Sequence, residues 1–467
     1  MSKKFKIGDT LSFIKQERNL ANKRQADARS HDFNEIYFNS DEQNLVKQAD
    51  RCLDCGNPFC EWKCPLHNFI PNWLDMVAHG QFEQAASLMH ATNPLPEICG
   101  RVCPQDRLCE QACTLNTGFG AVTIGAIEKN IADTALANHW RPDLSSVKPL
   151  GKKVAIVGAG PAGLGCAELL VRNGVIPVVY DKYPEIGGLL TFGIPGFKLE
   201  KSILIKRRQF LQDIGVEFQL NTKIGEDISF EKLQQDFDAV FLALGTYQAV
   251  DGDLSGKELP QVIQSLDYLI GNVNQQQSYQ MPHSYHDLKG QDVLVLGGGD
   301  TAMDCVRSAI RQQAKSVRCV YRKDENAMPG SKTEVQNAKE EGVQFIFNLQ
   351  PLEITTDGVA FERTDFDELK HKDKKVFLSA DTIVLAFGFR ANPQSWMKKA
   401  GVETTDSGLV RIENQSIFNT QDSQKTSVSG VYAGGDMVSG ADLVVTAIAQ
   451  GREAAKQILA TFGLVDD

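Results

Sequence analysis

The chain has 467 residues, of which 42% are hydrophobic and 23% charged, as in a folded globular protein of about three domains. Its formal net charge of −10 argues against a nucleic-acid ligand, because such proteins carry basic patches. Residues 1–13 hold no apolar signal region, and no long apolar stretch follows, so we expect neither a signal peptide nor a membrane-spanning helix. The expected location is the cytoplasm.

Most of the cysteines fall in two short runs near the N-terminus. The runs have the spacings C-x2-C-x4-C-x3-C and C-x3-C-x5-C-x3-C, and they comprise Cys52, Cys55, Cys60, Cys64, Cys99, Cys103, Cys109 and Cys113. Four cysteines ending in Cys-Pro are typical of ferredoxins, in which the fourth cysteine ligates another cluster. Zinc sites usually show two close pairs separated by a spacer, and a reducing cytosol disfavours disulfides. We predict iron–sulfur clusters, with zinc or unligated cysteines as the alternatives.

Residues 1–148 predict a small, mostly helical domain around these runs. Apolar residues recur at helical spacing from Asn72 to Met89, which predicts a helical connector between the runs, and again over 121–137. We expect the clusters to supply much of the cohesion of this domain. A linker from Asp143 to Lys153 follows it.

A dinucleotide-binding pattern begins after the linker. Strand, glycine loop, amphipathic helix and second strand follow in order, and the loop spacing is G-x-G-x-x-G at Gly158, Gly160 and Gly163. The first glycine permits the tight turn, the second lets a pyrophosphate approach the backbone, and the third lets helix and strand pack closely. Asp181 closes the second strand, where a carboxylate accepts a ribose hydroxyl.

The pattern returns after a predicted strand from Asp292 to Leu296. The variant G-x-G-x-x-A appears there, and the predicted contacts are Gly297, Gly299, Asp300 and Thr301. Arg322 and Lys323 stand after the next strand, where a carboxylate would select NAD. Since a cation accommodates the 2′-phosphate of NADP, we predict NADPH. The alternative is that both are solvated surface cations.

Two such patterns in one chain predict two bound dinucleotides. Further glycines follow the later strands, and a Gly-Asp stretch precedes a predicted C-terminal helix from Asp442 to Leu459. This assembly resembles the two-dinucleotide flavoprotein family, in which the first fold binds FAD and the second is inserted into it. The predicted fold is α/β with two Rossmann-like domains, and the added flavin contacts are Gly188, Gly245, Gly435 and Asp436. The expected limits are 1–148 for the iron–sulfur domain, 149–285 with 408–467 for FAD, and 286–407 for NADPH.

Dithiol-using members of that family carry a redox-active cysteine pair near one nucleotide fold. Here Cys166, Cys305 and Cys319 each stand alone in a predicted helix or strand, as small buried apolar residues usually do. We therefore expect the flavin to pass electrons to the N-terminal clusters and not to a protein disulfide.

Several stretches carry a narrower resemblance: RCLDCGNPFCEWKCPLHNFIPNW, EICGRVCPQDRLCEQAC, IGGLLTFGIPGFKLEK and GGGDTAMDCVR. They are similar to the small (beta) subunit of bacterial NADPH-dependent glutamate synthase over the whole chain. The resemblance implies that NADPH reduces FAD, and that two 4Fe-4S clusters carry electrons to a large (alpha) subunit, which makes glutamate from glutamine and 2-oxoglutarate. It implies no catalytic side chain. The alternatives are a related NADPH:acceptor oxidoreductase with another partner, and a flavin-binding scaffold with zinc and no turnover.

A less close resemblance, to the N-terminal half of dihydropyrimidine dehydrogenase, implies crossed ligation. One cluster would be held by Cys52, Cys55, Cys60 and Cys113, and the other by Cys64, Cys103 and Cys109. For the fourth ligand of the second cluster, Glu128 stands where that relative has glutamine, and Cys99 is a competing thiol. The alternative for Glu128 is an ordinary helix residue.

Overall fold

The computed structural model describes residues 11–280, 282–367, 373–413 and 423–464. A helical N-terminal region precedes the first strand, with a 3-10 turn at Thr114–Asn116. Its helices are α1 (Ser12–Lys15), α2 (Ala26–Arg29), α3 (Glu42–Ala49), α4 (Phe59–Lys63), α5 (Ile70–Ala78), α6 (Phe82–Thr92), α7 (Pro96–Val102), α8 (Cys109–Ala112) and α9 (Ile124–Ala137).

The predicted connector between the cysteine runs consists of two helices, α5 and α6, and not one. Gly80 lies between them with φ 71°, a left-handed conformation that glycine adopts readily and that commonly ends helices. The two helices bury their apolar faces in one core, with Trp73, Val77 and Met89 at 0% exposure. Leu115 and Ile127 belong to the same core. The helical domain therefore has a hydrophobic core of its own beside the cysteine runs.

The remaining chain is α/β. Its strands are β1 (Lys153–Val157), β2 (Ile176–Tyr180), β3 (Glu217–Gln219), β4 (Ala239–Leu242), β5 (Gln248–Ala249), β6 (Val262–Gln264), β7 (Asp292–Leu296), β8 (Ser316–Val320), β9 (Gln344–Ile346), β10 (Leu349–Thr355), β11 (Gly358–Arg363), β12 (Lys375–Ser379), β13 (Thr382–Leu385), β14 (Phe389–Arg390) and β15 (Val431–Ala433). Its helices are α10 (Pro161–Arg172), α11 (Leu189–Phe192), α12 (Lys201–Asp213), α13 (Phe230–Asp236), α14 (Ser265–Gln277), α15 (Asp300–Arg311), α16 (Lys332–Glu340), α17 (Ser395–Lys399), α18 (Asp436–Ser439) and α19 (Val444–Thr461), with a 3-10 turn at Glu325–Ala327.

Two parallel five-stranded sheets form the two nucleotide folds. The first has the order β15-β4-β1-β2-β3 and the second β6-β13-β7-β8-β9. A three-stranded antiparallel sheet, β10-β11-β12, lies in the chain between β9 and β13 of the second fold. Strand β14 pairs with β5, and both lie in segments that connect the two folds. The strands predicted before the two glycine loops are confirmed as β1 and β7, and the α/β architecture with an N-terminal helical domain is confirmed.

The strand pairing differs from the expected boundary at residue 285. Strand β6 pairs in parallel with β13, with Ile383 opposite Val262, so this segment belongs to the second sheet although we had expected it in the FAD domain. The physical reason is that β13 would otherwise be an unpaired edge of the second sheet. Strand β6, which comes before the second glycine loop in the chain, forms the hydrogen bonds of that edge. The other domain limits stay predictions.

Small residues allow α10 and α19 to pack closely against each other. A Cβ on Gly451 of α19 would lie 1.9 Å from the carbonyl oxygen of Ala162, and a Cβ on Gly165 would lie 3.0 Å from that of Ile448. This contact fixes the C-terminal helix on the first nucleotide fold. Within the described segments, no helix is long and apolar enough to cross a bilayer.

A buried cluster of charged side chains connects the helical domain with the second fold. Glu341 accepts hydrogen bonds from Arg29 at 2.9 Å, from Arg307 at 2.8 and 2.9 Å and from Arg311 at 2.7 Å. The guanidinium groups of Arg307 and Arg311 lie 4.4 and 3.9 Å from the ring centroid of Phe197, a residue of the first fold. Three parts of the chain therefore meet at one carboxylate.

We expect Glu341→Gln to lower the stability of the protein by about 3 kcal/mol, because three buried arginines would each lose an ion-pair partner. Arg29 and Arg307 would keep their pairs with Glu340 and Glu334. Burial opposes ionisation of Glu341, but hydrogen bonds from Arg307 and Arg311 lower its pKa to about 2. A depressed carboxyl pKa stabilises the fold above the unfolded value and loses that contribution as pH falls, so the difference between the variants should shrink from about pH 4.5 towards 2. Urea unfolding at several pH values measures this, with the surface variant Glu325→Gln as control; equal stability of Glu341→Gln and the parent at pH 7 would contradict it.

Candidate functional site

A cavity of about 910 Å³ lies between the two nucleotide folds and the helical domain. Its wall includes Gly160, Asp181 and Asp436 from the first fold, Asp300 from the second, and Cys103 from the second cysteine run. The parts of the chain that carry the predicted chemistry therefore border one space.

The first glycine loop has the geometry of a pyrophosphate cradle. Gly158 has φ 115°, and a Cβ on it would lie 2.2 Å from the carbonyl oxygen of Ala243. A Cβ on Gly163 would lie 1.9 Å from the carbonyl oxygen of Gly158. On Gly160, in contrast, a Cβ would meet no atom of the described residues within 4 Å. The open side of Gly160 faces the cavity at the N-terminus of α10, where free N–H groups and the helix dipole favour an anion.

The carboxylate of Asp181 is held at the cavity wall by two backbone groups. The N–H of Ala159 donates to Oδ2 at 2.7 Å and the N–H of Tyr183 donates to Oδ1 at 2.9 Å. Burial raises the pKa of Asp181. Each carboxylate oxygen can accept a further hydrogen bond, so the side chain can still receive a ribose hydroxyl.

The other predicted contacts of the first fold also border the cavity. Gly188 and Gly435 have φ 54° and 76°, and a Cβ on Gly188 would lie 3.2 Å from Cα of Gly160. Gly245 has φ 69° and Asp436 opens α18. Burial raises the pKa of Asp436 to about 6. The structure therefore brings these four residues to one wall, although they come from three separate parts of the chain.

The second glycine loop repeats the geometry of the first. Gly297 has φ 144°, and a Cβ on it would lie 2.3 Å from the carbonyl oxygen of Ala386. A Cβ on Gly299 would have no neighbour within 4 Å in the described part of the chain. Asp300 and Thr301 start α15 and line the cavity. A second pyrophosphate can therefore approach the backbone at Gly299.

Arg322 and Lys323 lie just beyond the carboxyl end of β8, at the sheet edge that carries this loop. Both residues are exposed. Their backbone carbonyl oxygens accept hydrogen bonds from the Thr364 hydroxyl at 2.8 Å and the Asn348 N–H at 3.2 Å. Those bonds fix the main chain and leave both side chains exposed. Neither residue lines the cavity that Asp300 and Thr301 border, so contact with a 2′-phosphate stays a prediction.

The first group of thiols combines the two cysteine runs. A small cavity is lined by Cys52, Cys55 and Cys60 of the first run and by Cys113 of the second. Burial raises the pKa of Cys52 to about 11 and that of Cys60 to about 12. A bound cation reverses this preference, because a coordinating thiol is deprotonated. The four sulfurs suit an iron–sulfur cluster, and ligation by them stays a prediction.

The second group contains Cys64, Cys103 and Cys109 with both candidates for the fourth ligand. A hydrogen bond with Cys99, burial, and the charge of Glu128 raise the pKa of Cys103. Glu128 is buried and accepts hydrogen bonds from the amides of Asn93 at 3.0 Å and Asn68 at 3.3 Å. Burial raises its pKa to about 8. The Cys99 thiol lies 3.7 Å from Oδ1 of the same Asn93 amide. Glu128 and Cys99 therefore both remain candidates for the fourth ligand.

The remaining cysteines are separate and buried. Cys166 lies inside α10, Cys305 inside α15 and Cys319 in β8, and all eleven cysteines, each within the described ranges, are free thiols. Among the described residues, no three thiol, imidazole or carboxylate groups are arranged around a single metal-ion position.

Sequence reasoning missed a pair of charged residues in the cavity. Lys198 Nζ lies 2.9 Å from Asp304 Oδ1, which joins the loop before α12 to α15 of the second fold. Both residues line the cavity. The signal was present as a lysine after the Gly-Phe of a glycine-rich loop, but its partner lies in another fold.

Comparison with known proteins gives the family. Residues 29–140 match the family described as dihydropyrimidine dehydrogenase domain II, 4Fe-4S cluster, and residues 152–451 match the pyridine nucleotide-disulphide oxidoreductases. The glutamate synthase [NADPH] small chain of Halomonas elongata is 52% identical over 97% of this chain and 98% of that one. The chain belongs to the glutamate synthase small-chain family. It is an NADPH-dependent oxidoreductase, and its cofactors are FAD, NADPH and 4Fe-4S clusters.

Two further comparisons concern proteins that are not named as glutamate synthase small chains. The putative oxidoreductase AegA of Escherichia coli is 46% identical over 94% of this chain, which covers 69% of that protein. A solved structure of FprA from Mycobacterium tuberculosis in complex with NADPH superimposes with a TM-score of 0.53 at 17% identity, covering 68% of this chain and 85% of that one. The second likeness supports the fold of the two nucleotide domains.

Proposed function

We propose that the chain is the electron-input subunit of a cytoplasmic glutamate synthase. Electrons from NADPH enter through FAD and leave through two 4Fe-4S clusters to a large subunit, which makes glutamate from glutamine and 2-oxoglutarate. The observation that carries the proposal is the shared cavity, which borders the first glycine loop, the start of α15 directly after the second glycine loop, and the second cysteine run.

The side chains of the cavity bind and orient, and we assign no catalytic acid or base among them. FAD, when bound, supplies hydride acceptance and single-electron release. Gly160 and Gly299 would leave room for the two pyrophosphates, Asp181 would accept a ribose hydroxyl, and Asp436 would hold the ribityl–pyrophosphate part of FAD. Lys198 and Asp304 hold the two folds together at the cavity and keep their charges paired.

The cysteine groups lie in an order that suits electron exit. Cys103 of the second group borders the cavity. Burial and, to a smaller extent, the charge of Cys60 in the first group raise the pKa of Cys109 in the second, so the two groups are neighbours. The second group therefore stands between the flavin side and the first group. Phe59 and Trp62, beside the first group, are 55% and 65% exposed, which puts that group at the protein surface.

Co-expression with the large subunit tests this function. The purified chain alone should reduce an artificial acceptor with NADPH and form no glutamate, whereas the complex should form glutamate from glutamine and 2-oxoglutarate. Metal analysis of the same sample should give about eight iron and eight sulfide per chain, since two cubane clusters contain that number. A chain that holds one or two zinc ions and no sulfide would instead be a scaffold, and a chain that never associates with the large subunit would exclude the proposed assembly.

A related NADPH:acceptor oxidoreductase with another partner is the second candidate. The observation that favours it is the similarity to AegA, of which this chain covers 69%. Co-purification of tagged chain from cells that also produce the large subunit separates the two, because only the first candidate recovers the large subunit in stoichiometric amounts.

Neutralising Arg322 and Lys323 should change the nucleotide preference. We expect the double variant Arg322→Ala, Lys323→Ala to lower kcat/KM for NADPH by roughly tenfold or more and to change the NADH value little, since a charged hydrogen bond to phosphate contributes about 1.5–3 kcal/mol. Steady-state rates with an artificial acceptor measure both values. Lys315 is an exposed lysine of the same fold that forms an ion pair with Asp292 at 2.8 Å, and Lys315→Ala provides the control variant. An unchanged NADPH to NADH ratio would remove both cations from the site.

A further inference from the structure

The iron–sulfur domain contacts the second nucleotide loop through two adjacent residues, Asp106 and Arg107. Arg107 Nη1 donates a hydrogen bond to the carbonyl oxygen of Pro329 at 2.8 Å, and its Nη2 lies 3.4 Å from Asp300 Oδ2. The N–H of Lys332 donates to Asp106 Oδ2 at 3.2 Å. A cation of the second cysteine run therefore meets the carboxylate that opens α15.

The segment 329–331, which Arg107 contacts, lies directly over the glycine loop. The N–H of Gly330 donates to the carbonyl oxygen of Gly298 at 3.0 Å, and a Cβ on Gly330 would lie 3.1 Å from that same oxygen. The N–H of Ser331 donates to Asp300 Oδ1 at 2.9 Å. Asp300 is thus held on one oxygen by this segment and on the other by the helical domain.

The charge of Asp300 stands in an unfavourable place for an anionic ligand. The N-terminus of α15 offers its dipole to a pyrophosphate at Gly299, but a carboxylate at the first helical position carries the same sign as the ligand. The guanidinium of Arg107 offsets that charge. Because both side chains are about four-tenths exposed, water screens the pair, and its effect should be modest and sensitive to salt.

We propose that Arg107 is a positioning residue for the nicotinamide nucleotide, supplied to the second fold by the iron–sulfur domain. It holds Asp300 and the segment 329–331 in the arrangement that leaves Gly299 open, and it offsets the carboxylate against the pyrophosphate. The inference rests on the proposed binding of NADPH at the second glycine loop. It makes nucleotide affinity depend on the order of the second cysteine run, so the two domains do not act as independent modules.

The variant Arg107→Gln in the full cofactor-loaded chain tests the inference. We expect KM for NADPH and the Kd of NADP+, measured by titration calorimetry, to rise roughly three- to fivefold, which is the upper part of the range for a partly screened ion pair. The kcat with an artificial acceptor, the iron content and the flavin content should not change. Arg107→Lys should restore part of the affinity, because it keeps the charge and loses the second donor. Affinity within twofold of the parent in Arg107→Gln would overturn the inference.

Arg141→Gln is the matched control. Arg141 also joins the helical domain to a nucleotide fold, through an ion pair with Asp213 at 2.5 Å, but this contact is to the first fold and away from the second glycine loop. Its removal should leave the Kd of NADP+ unchanged. A rise equal to that of Arg107→Gln would show a general loosening of the domains and would overturn the specific role of Arg107.

Asp300→Asn separates charge from shape. The side-chain oxygen of the substituted asparagine would still accept the Ser331 N–H. In the Asp300→Asn background, Arg107→Gln should change the Kd of NADP+ by less than about twofold, because the ion pair between the two residues is already absent. An equal loss in both backgrounds would overturn the electrostatic role. If Arg107→Gln loses iron, Asp300→Asn decides alone: its affinity for NADP+ should equal or exceed that of the parent, and a loss of more than about twofold, as expected if Asp300 itself bound the nucleotide, would overturn the inference.

Gly299→Val tests separately the assignment on which this inference rests, namely that the nicotinamide nucleotide binds at the second glycine loop. A branched side chain at Gly299 should abolish NADP+ binding. If Gly299→Val binds NADP+ normally, the nucleotide lies elsewhere and the site assignment fails together with the inference. If Gly299→Val loses binding and Arg107→Gln keeps the parental affinity, the assignment stands and only the role of Arg107 fails.

Discussion

Gly160→Val should yield a folded chain that purifies without flavin. The physical reason is that a Cβ at this position meets no described atom of the protein within 4 Å but enters the space that the pyrophosphate of FAD needs. The backbone of Gly160 has φ −76°, which any residue adopts, so the substitution should cost the fold little. The visible spectrum measures the flavin, and far-ultraviolet circular dichroism together with iron content reports the fold.

Gly158→Val provides the contrasting variant for this experiment. Gly158 has φ 115°, and its Cβ would lie 2.2 Å from a backbone oxygen, so this change should destabilise the first fold itself and lower the yield of folded protein. Loss of flavin with the fold retained is thus expected at Gly160 and not at Gly158. A yellow Gly160→Val chain at full flavin occupancy would contradict the assignment of the first fold to FAD.

The glycine loops could be predicted because their signal is local. The positive φ of Gly158 and the close approach of Gly163 to it arise within one strand–loop–helix unit, so the spacing of three glycines carries the whole requirement. The same holds at Gly297 and Gly299. The two strands that begin these units could be predicted for the same reason, because each is a short buried apolar run next to its loop.

Contacts between distant parts of the chain could not be predicted in this way. Strand β6 has three residues and pairs with β13, which lies more than a hundred positions later in the chain. No local periodicity of the sequence therefore predicts the pairing. The pairs Lys198–Asp304 and Arg107–Asp300 also join separate domains. The two residues of each pair come from separate parts of the chain, so no local sequence pattern indicates the contact.

Helix α15 shows why the charged cluster was missed. Arg307 and Arg311 fall on the polar face of an amphipathic helix, which usually faces water. In the structure both side chains are at 0% exposure because Glu341 accepts their hydrogen bonds and Phe197 covers them. The burial of that face depends on residues of two other elements, so the sequence of the helix alone predicts the opposite exposure.

Cys113→Ala should remove the same cluster as Cys52→Ala, although the two cysteines belong to different runs. Both line one small cavity with Cys55 and Cys60, so a cluster bound there would lose a ligand in either variant. Iron should fall from about eight to about four per chain in each case, and electron paramagnetic resonance of the reduced variants should lack the same signal. Cys166→Ala, a buried thiol inside α10, should keep the full iron content.

At saturating NADPH, reduction of FAD should survive both cysteine changes, because the first thiol group does not line the cavity between the two nucleotide folds. Metal ligation contributes folding free energy to small metal domains, so each variant should also have a looser helical domain and associate more weakly with the large subunit. Rapid-mixing absorbance at the flavin band and the midpoint of thermal unfolding measure the two effects. If Cys113→Ala and Cys52→Ala lose different resonance signals, each run keeps its own cluster, and the crossed arrangement is wrong even though the thiols lie together.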